Sequence, residues 1–312
     1  MQIFKQVPEF DFMGKRKLAV IFSLLLMVIS ISSLATRGLE LGIDFTGGIL
    51  IEMGYQGPVD LTEVRTALSN NGFDDAIVQH FGTSKDILVR LAPRGDMSNA
   101  EVSGDVMEVL QESSSQVPEM RRVEYVGPQV GKELTEDGAL AMLFALAGIL
   151  IYVALRFEYR FALGSVAALV HDVVITLGVF SILGIEFNLT VLAAILAVIG
   201  YSLNDTIVVF DRVRENFRII RTGTTEEVTN VSLNQTLSRT IMTSATTLLV
   251  LFALFFVGGE LINAFALALI IGVFVGTYSS IYVASTTALA LGVSKEDLIP
   301  PEREGAEVDD TP

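Results

Sequence analysis

The chain of 312 residues has no cysteine and no tryptophan, only two histidines, and few prolines for its length. Without cysteine there is no disulfide framework and no thiolate metal site. The two histidines, His80 and His171, lie too far apart in sequence to mark a His-x-x-His-type metal motif, so no metal set is expected. Basic residues are short as well: 21 Lys and Arg stand against 36 Asp and Glu, a formal net charge of −15. No basic stripe exists to neutralise phosphates, and nucleic acid is not an expected partner. The polar segments offer no nucleophile–base pair, which argues against a soluble enzyme.

What the chain has is apolar residues, 51% of the total. Apolar runs near the roughly 20-residue spanning length fall at 17–35, 138–156, 163–183, 189–210, 239–257 and 264–291. They predict an α-helical polytopic protein with six transmembrane helices in a lipid bilayer. The expected order is an N-terminal segment at 1–16, helix one at 17–35, an extramembrane domain at 36–137, helices two to six within 138–291, and an acidic tail at 292–312. Lys5, Lys15, Arg16 and Lys17 precede span one, Arg156 and Arg160 separate spans two and three, and Arg212, Arg214, Arg218 and Arg221 follow span four. The opposite short loops carry Glu186 and Glu260 and no Lys or Arg. This bias predicts that both termini are cytoplasmic and that 36–137 is translocated.

Segment 36–137 reads as a small α+β domain. A strand is expected at 49–55, a helix from Leu61 capped by Asp60 and stopped at Asn70-Asn71-Gly72, and strands at 76–81 and 86–91 joined by a turn at 82–85. A second helix capped by Ser98 and a last strand at 121–126 complete a βαββαβ, ferredoxin-like order. The Gly-rich stretch 38–48 lacks GxGxxG spacing and opens a strand, so it is no phosphate cradle.

Four ionisable side chains fall within the apolar runs: His171, Asp172, Asp205 and Arg239. Such groups are costly in hydrocarbon and mark functional positions by default. Arg239 opens span five near the depth expected for Asp205. Ser232, Thr236, Arg239, Thr243 and Thr246 share helical spacing as one polar stripe. Tyr201 precedes Asp205 by one turn. An Asp205–Arg239 pair is as consistent with a strut between helices as with a proton switch. In a switch Asp205 would carry the proton, because arginine stays charged. His171 and Asp172 either extend a proton path or pack helices. Adjacent helical residues point about 100° apart, so no direct bond between them is expected. Gly272, Gly276, Ser280 and Ala284 form a small-residue face for close helix approach, with its neighbour left open.

Several longer stretches carry a resemblance. They are Gly42-Ile43-Asp44-Phe45-Thr46-Gly47-Gly48, Val126-Gly127-Pro128-Gln129-Val130-Gly131, the run from Gly200-Tyr201-Ser202-Leu203-Asn204-Asp205 through Asn216, Asn234-Gln235-Thr236-Leu237-Ser238-Arg239-Thr240, and Gly276-Thr277-Tyr278-Ser279-Ser280-Ile281. Together they resemble the SecF side of the SecD/SecF family of protein-export membrane subunits, relatives of the RND transporters. The resemblance implies an accessory subunit of the Sec translocase in the bacterial inner membrane. It would work with SecD beside the SecYEG channel and the SecA motor, and use proton motive force to promote release of the preprotein on the periplasmic side. It implies a proton relay at Asp205 and Arg239; Asn204, Tyr201, Asp172, His171 and Thr243 are possible supporting residues from their places in the spans. Gly42, Asp44, Gly47, Gly48, Gly127, Pro128 and Gly131 would couple the relay to a periplasmic domain. Protons would be the coupling ion, with no cofactor. A second relay carboxylate and a larger periplasmic domain would belong to SecD. An RND-type small-molecule/proton antiporter and a non-conducting scaffold are the alternatives.

Overall fold

The structure, a computed structural model, describes residues 7–94, 98–114 and 116–294, the side chain of Glu260 excepted. Most of the expected acidic tail and Lys5 lie outside the described residues. Among the described residues, six helices are long and apolar enough to cross a membrane. They are α1 (Arg16–Thr36), α5 (Pro128–Arg156), α6 (Tyr159–Leu183), α7 (Leu189–Ile219), α8 (Thr225–Val257), and a last span built from α9 (Glu260–Ser279), a π-helical turn at Ser280–Ala284 and α10 (Ser285–Ala290). Several helices overrun their apolar runs. α5 starts at Pro128, whose missing N–H costs nothing at a first helical position. α8 starts at a capping box of Thr224 and Glu227, well before Arg239.

Between α1 and α5 the chain forms β1 (Glu40–Leu41), a helical turn α2 (Ile43–Thr46), β2 (Gly48–Gly54), α3 (Leu61–Asn70), β3 (Ile77–Phe81), β4 (Thr83–Leu91), α4 (Asn99–Ser113) and β5 (Glu119–Val126). The sheet order is β3-β4-β2-β5, antiparallel throughout. That is the split-βαβ arrangement predicted from the element order. Asp60 and Ser98 cap α3 and α4 as the sequence predicts. Alternation along β2 and β4 sends Ile49, Ile51, Met53, Ile87, Val89 and Leu91 to one face, where Val64 and Leu68 of α3 and Val102, Val106 and Leu110 of α4 cover them. The hairpin between β3 and β4 is tighter than expected, since Gly82 turns the chain alone at φ 75° and β4 begins at Thr83.

A second, two-stranded sheet ties this domain to the helices. β1 runs parallel to β6 (Glu186–Phe187), in the connection between α6 and α7. In the helical part, lipid offers no hydrophobic drive for association, so close contact must come from small residues. A Cβ on Gly178 of α6 would collide with Ser30 of α1, and one on Gly272 of α9 with Val198 of α7. The small-residue face of the last span therefore meets α7 of the same chain, with Gly276 against Ser202. Before α1, the N-terminal segment lies across α8. Asn234 accepts from Phe10 N–H and donates to its carbonyl, and Asn230 accepts from Met13 N–H.

Candidate functional site: a buried carboxylate network

Asp205 sits on the inner face of α7 and is 8% exposed. Its carboxylate takes two hydroxyl donors: Thr240 Oγ1 of α8 at 2.8 Å on Oδ1, and Ser280 Oγ of the π-helical turn at 2.5 Å on Oδ2. With the carboxylate ionised, both are charge-assisted bonds, the stronger class. Three helices thus converge on one carboxylate. The expected ion pair with Arg239 is not formed. Arg239 is exposed on the outer side of α8 and acts on Asp205 only through its field. The reason is helical phase. Thr240 is one residue on, about 100° round the helix, and it is Thr240 that faces α7.

The polar stripe of α8 divides for the same reason. Ser232 and Thr236 are buried, whereas Arg239, Thr243 and Thr246 are exposed. Thr243 Oγ1 donates to the carbonyls of Arg239 and Thr240 in its own helix. Asn204 is exposed on the outer face of α7. Tyr201 faces α8 instead, with its hydroxyl 3.3 Å from Ser244 Oγ, which in turn bonds Thr277 Oγ1 at 2.7 Å.

A second carboxylate lies deeper. Asp172 of α6 is fully buried, and its Oδ2 accepts from Ser279 Oγ at 2.6 Å and from Ser202 Oγ. His171 Nδ1 lies 2.9 Å from Asp172 Oδ1, contrary to the expectation for adjacent helical residues. Both side chains point into the arc enclosed by α1, α7 and the last span, and an imidazole Nδ1 reaches a neighbouring carboxylate within that arc. Sequence reasoning missed Thr240, Ser202, Ser279 and Ser280 as carboxylate ligands. All four stand inside stretches that carried the resemblance, but hydroxyls at helical spacing read as packing until their partners are known.

The glycine motifs meet at the other end of α7. Gly47 has φ 68° and Gly48 φ 130°, and a Cβ on Gly48 would strike Leu91 O at 2.3 Å. A Cβ on Gly131 would press on Gly47 N at 2.8 Å, and one on Gly47 on Pro128 Cα. Gly127 provides the extended residue ahead of α5. This interlock holds α2 against the start of α5. From α2, Asp44 Oδ2 accepts from Leu189 N–H, the first residue of α7, at 2.9 Å. Gly42 N–H donates to Phe187 O at 2.9 Å, and a Cβ there would meet Glu186 Oε1. Nearby, Arg90 Nη1 donates to Leu41 O at 2.5 Å and lies 3.9 Å from Glu186. Burial pushes the Glu186 carboxyl above its ordinary value; Arg90 opposes this, and the charges of Asp44, Glu124 and Glu40 add to it.

Two family models match this chain. "Protein export membrane protein SecD/SecF, C-terminal" covers residues 106–294, and the "SecD/SecF GG Motif" covers residues 32–59. The chain belongs to the SecD/SecF family. Similar curated members are named Protein translocase subunit SecF. The one from Vibrio alginolyticus is 53% identical over 100% of this chain and 99% of its own length. The one from Pseudomonas aeruginosa is 50% identical over 98% and 99%, and the one from Escherichia coli O157:H7 48% over 96% and 93%. Among solved structures, the fold resembles SecDF from Thermus, described as a translocon-associated membrane protein. Its TM-score is 0.84 at 39% identity, over 93% of this chain. The SecD/SecF chain described here spans 39% of that longer SecDF chain. Gly42, Asp44, Gly47 and Gly48 lie inside the GG-motif match, and both buried carboxylates lie inside the C-terminal match.

Proposed function

We infer that this chain is the SecF-type half of an accessory protein translocase, and that it couples proton motive force to movement of its extramembrane domain during preprotein export. The observation that carries this reading is α7. It holds Asp205 buried between hydroxyls of two other helices, and its first N–H is capped by Asp44 of the glycine-rich turn. Protonation removes the charge that draws Thr240 and Ser280 toward Asp205, and a shift of α7 is then delivered to the domain through Asp44. The work available is about 2.3 kcal/mol per charge per 100 mV.

A SecD-type partner completes the assembly. Arg239, Thr243 and Asn204 all face outward from this chain. A guanidinium facing lipid at depth costs about 3 kcal/mol on insertion scales, so this face calls for protein cover. The longer SecDF chain, of which the present one matches 39%, supports a second half as that cover. In the cover's presence Arg239 would set the field at the relay. The flank rich in Arg156, Arg212, Arg214 and Arg218 supports a cytoplasmic end for both termini in the bacterial inner membrane, with the α+β domain periplasmic. The SecYEG channel, the SecA motor and the emerging preprotein follow as partners from that role.

The test is Asp205→Asn in membrane vesicles, together with its partner subunit. The variant assembles at normal levels but loses the stimulation of export by proton motive force. Export at the wild-type rate would leave a non-conducting scaffold as the function. Exchange of a small solute against protons would make it an antiporter.

A further inference from the structure

The relay contains only one of the two buried carboxylates in the described membrane-spanning helices. Asp172 is the more enclosed, and the two are held by neighbouring residues of one turn: Ser279 bonds Asp172 and Ser280 bonds Asp205. Ser202, one helical turn before Asp205 on α7, also bonds Asp172. The junction of α9 with the π-helical turn is thus clasped by both acids. π-helical turns inside α-helices occur often at functional sites.

His171 closes the other side of this network. With Nδ1–H donated to the Asp172 carboxylate, the neutral ring presents Nε2 as a bare acceptor. That atom is buried and has no hydrogen-bond partner among the described residues, and His171 itself is 3% exposed. The ring lies on Tyr278 at 6.1 Å between centroids and lines a cavity of about 410 Å³. Its wall is mostly apolar, Val20, Leu24 and Leu291 included; the hydroxyls on it are those of Ser23 of α1 and of Tyr282, Thr286 and Thr287 of the last span. Thr286 Oγ1, on the same wall, also has no hydrogen-bond partner among the described residues. The cavity runs toward the end of the bundle where α1 begins and α10 finishes, the end assigned above to the cytoplasm.

We propose that His171 and Asp172 form a second proton-binding site, coupled to Asp205 through Ser279 and Ser280 and reached by water from the cytoplasmic side through the cavity at Thr286. Hydronium gives its proton to Nε2 and becomes water; the Nδ1–H bond breaks, its proton passes to Asp172 Oδ1, and the ring is left neutral with its proton on Nε2. The ring returns by releasing and rebinding protons in the same order reversed. Neutral Asp172 loosens its hold on Ser279 and Ser202, and that change reaches Ser280 and Asp205 through the shared turn and through α7. The titratable groups on the elements packed against the pair are Tyr278 and Tyr282 of the last span and Asp205 of α7. α1 brings the hydroxyl of Ser23, with Arg16, paired to Glu226, and Lys17 at its start. This inference rests on the proton-coupled reading above.

The absence of cysteine makes a direct test possible. Thr286→Cys places a single thiol on the cavity wall of the full chain in inside-out membrane vesicles. A charged, membrane-impermeant methanethiosulfonate should modify it at least about tenfold faster than a cysteine at Leu25 on the outer face of α1, because thiolate forms in water. Modification by a membrane-permeant maleimide alone would show a lipid-filled cavity and overturn the proposal. Infrared difference spectra of the purified chain between acid and neutral pH carry the protonated-carboxyl signal of all 36 Asp and Glu; subtracting each variant from the wild type should isolate one band missing in Asp172→Asn and another missing in Asp205→Asn. A spectrum unchanged by Asp172→Asn reduces Asp172 to a packing residue. His171→Gln keeps an N–H for Asp172 but cannot relay a proton. It should accumulate normally and lose most of the proton-driven stimulation of export; wild-type stimulation overturns the relay. The labelling and infrared measurements need no export, so their failure is distinct from failure of the coupling role of Asp205.

Discussion

Asp44 caps a helix that begins more than a hundred residues later in the chain: its Oδ2 accepts from Leu189 N–H at 2.9 Å. Asn188 caps the same helix locally, taking Val191 N–H at 3.0 Å. The start of α7 is therefore held twice, once by its own sequence and once by the glycine-rich turn of the extramembrane domain. From that cap to Asp205 is roughly 24 Å of helix at about 1.5 Å per residue. A continuous helix carries axial displacement over such a span with little loss.

Asp44→Ala leaves Leu189 N–H without its acceptor and removes a negative charge from a helix N-terminus. The expected loss is about 1 kcal/mol of stability, read as a lower thermal midpoint in detergent. Proton-driven export should fall further than this loss explains, because Asp205 remains intact but its motion is no longer delivered. Asp44→Asn keeps an acceptor and should recover most of both. Equal export in both variants and wild type would exclude coupling through this cap.

Thr240→Val and Ser280→Ala each deprive the buried Asp205 of one hydroxyl donor. Hydrogen bonds to charged groups contribute about 1.5–3 kcal/mol, so each variant should be destabilised on that scale. Thr240→Ser, which restores the hydroxyl, should be close to wild type. Matching midpoints for Thr240→Val and Thr240→Ser would show that Thr240 does not support the carboxylate.

Gly48 has no room for a side chain. With φ at 130° and Leu91 O at 2.3 Å from an added Cβ, Gly48→Ala should cost about 2 kcal/mol or more. It should also disturb the β2–β4 edge that leads into the turn. Gly104, in the middle of α4, has open space around an added Cβ, and Gly104→Ala should stabilise the domain by about 1 kcal/mol. Thermal unfolding of the two variants should therefore move in opposite directions.

Glu186 gives the domain–membrane junction a pH dependence of definite sign. Burial first, with the surrounding carboxylates, raises its folded pKa above the ordinary 4.5. Between the two values the folded state binds more proton than the unfolded state, so this contribution to stability falls as pH rises through that window. Glu186→Gln removes the dependence. Between about pH 4 and about pH 7 the thermal midpoint of the variant should rise relative to that of the wild type. Parallel curves would mean that Glu186 does not titrate in this range.

Tyr55 is 6% exposed, and its hydroxyl is buried without a hydrogen-bond partner among the described residues. Burial pushes that hydroxyl up to about 12. Tyr55→Phe removes an unpaired polar group and keeps the ring, so it should leave stability unchanged or raise it by about 1 kcal/mol. A lower midpoint would reveal a partner for the hydroxyl.

Local patterns made much of this fold readable. Runs of about 20 apolar residues predict spans because lipid cannot satisfy an exposed backbone. Asp60, Ser98 and Gly72 mark helix ends because capping is a matter of a few neighbouring atoms. The βαββαβ order follows from alternation and turn residues, and the strand order β3-β4-β2-β5 agrees with it. Asp205 was legible as a single ionisable group in an apolar run, and Arg239 as a charge at a similar depth.

Which of those groups touch was not legible. Contact between helices depends on rotation about each axis, and one residue of phase turns a side chain by about 100°. That single step gives Asp205 the hydroxyl of Thr240 and leaves Arg239 on the outer face. Tertiary packing alone placed Ser279 and Ser280 between two carboxylates and turned the small-residue face of α9 toward α7. It also brought Asp44 to Leu189, far away in sequence. The residue sequence determined the elements and the family. The third dimension decided the partners of each charge, because partnership is set by helix phase and long-range contact, and neither is written in any one stretch of residues.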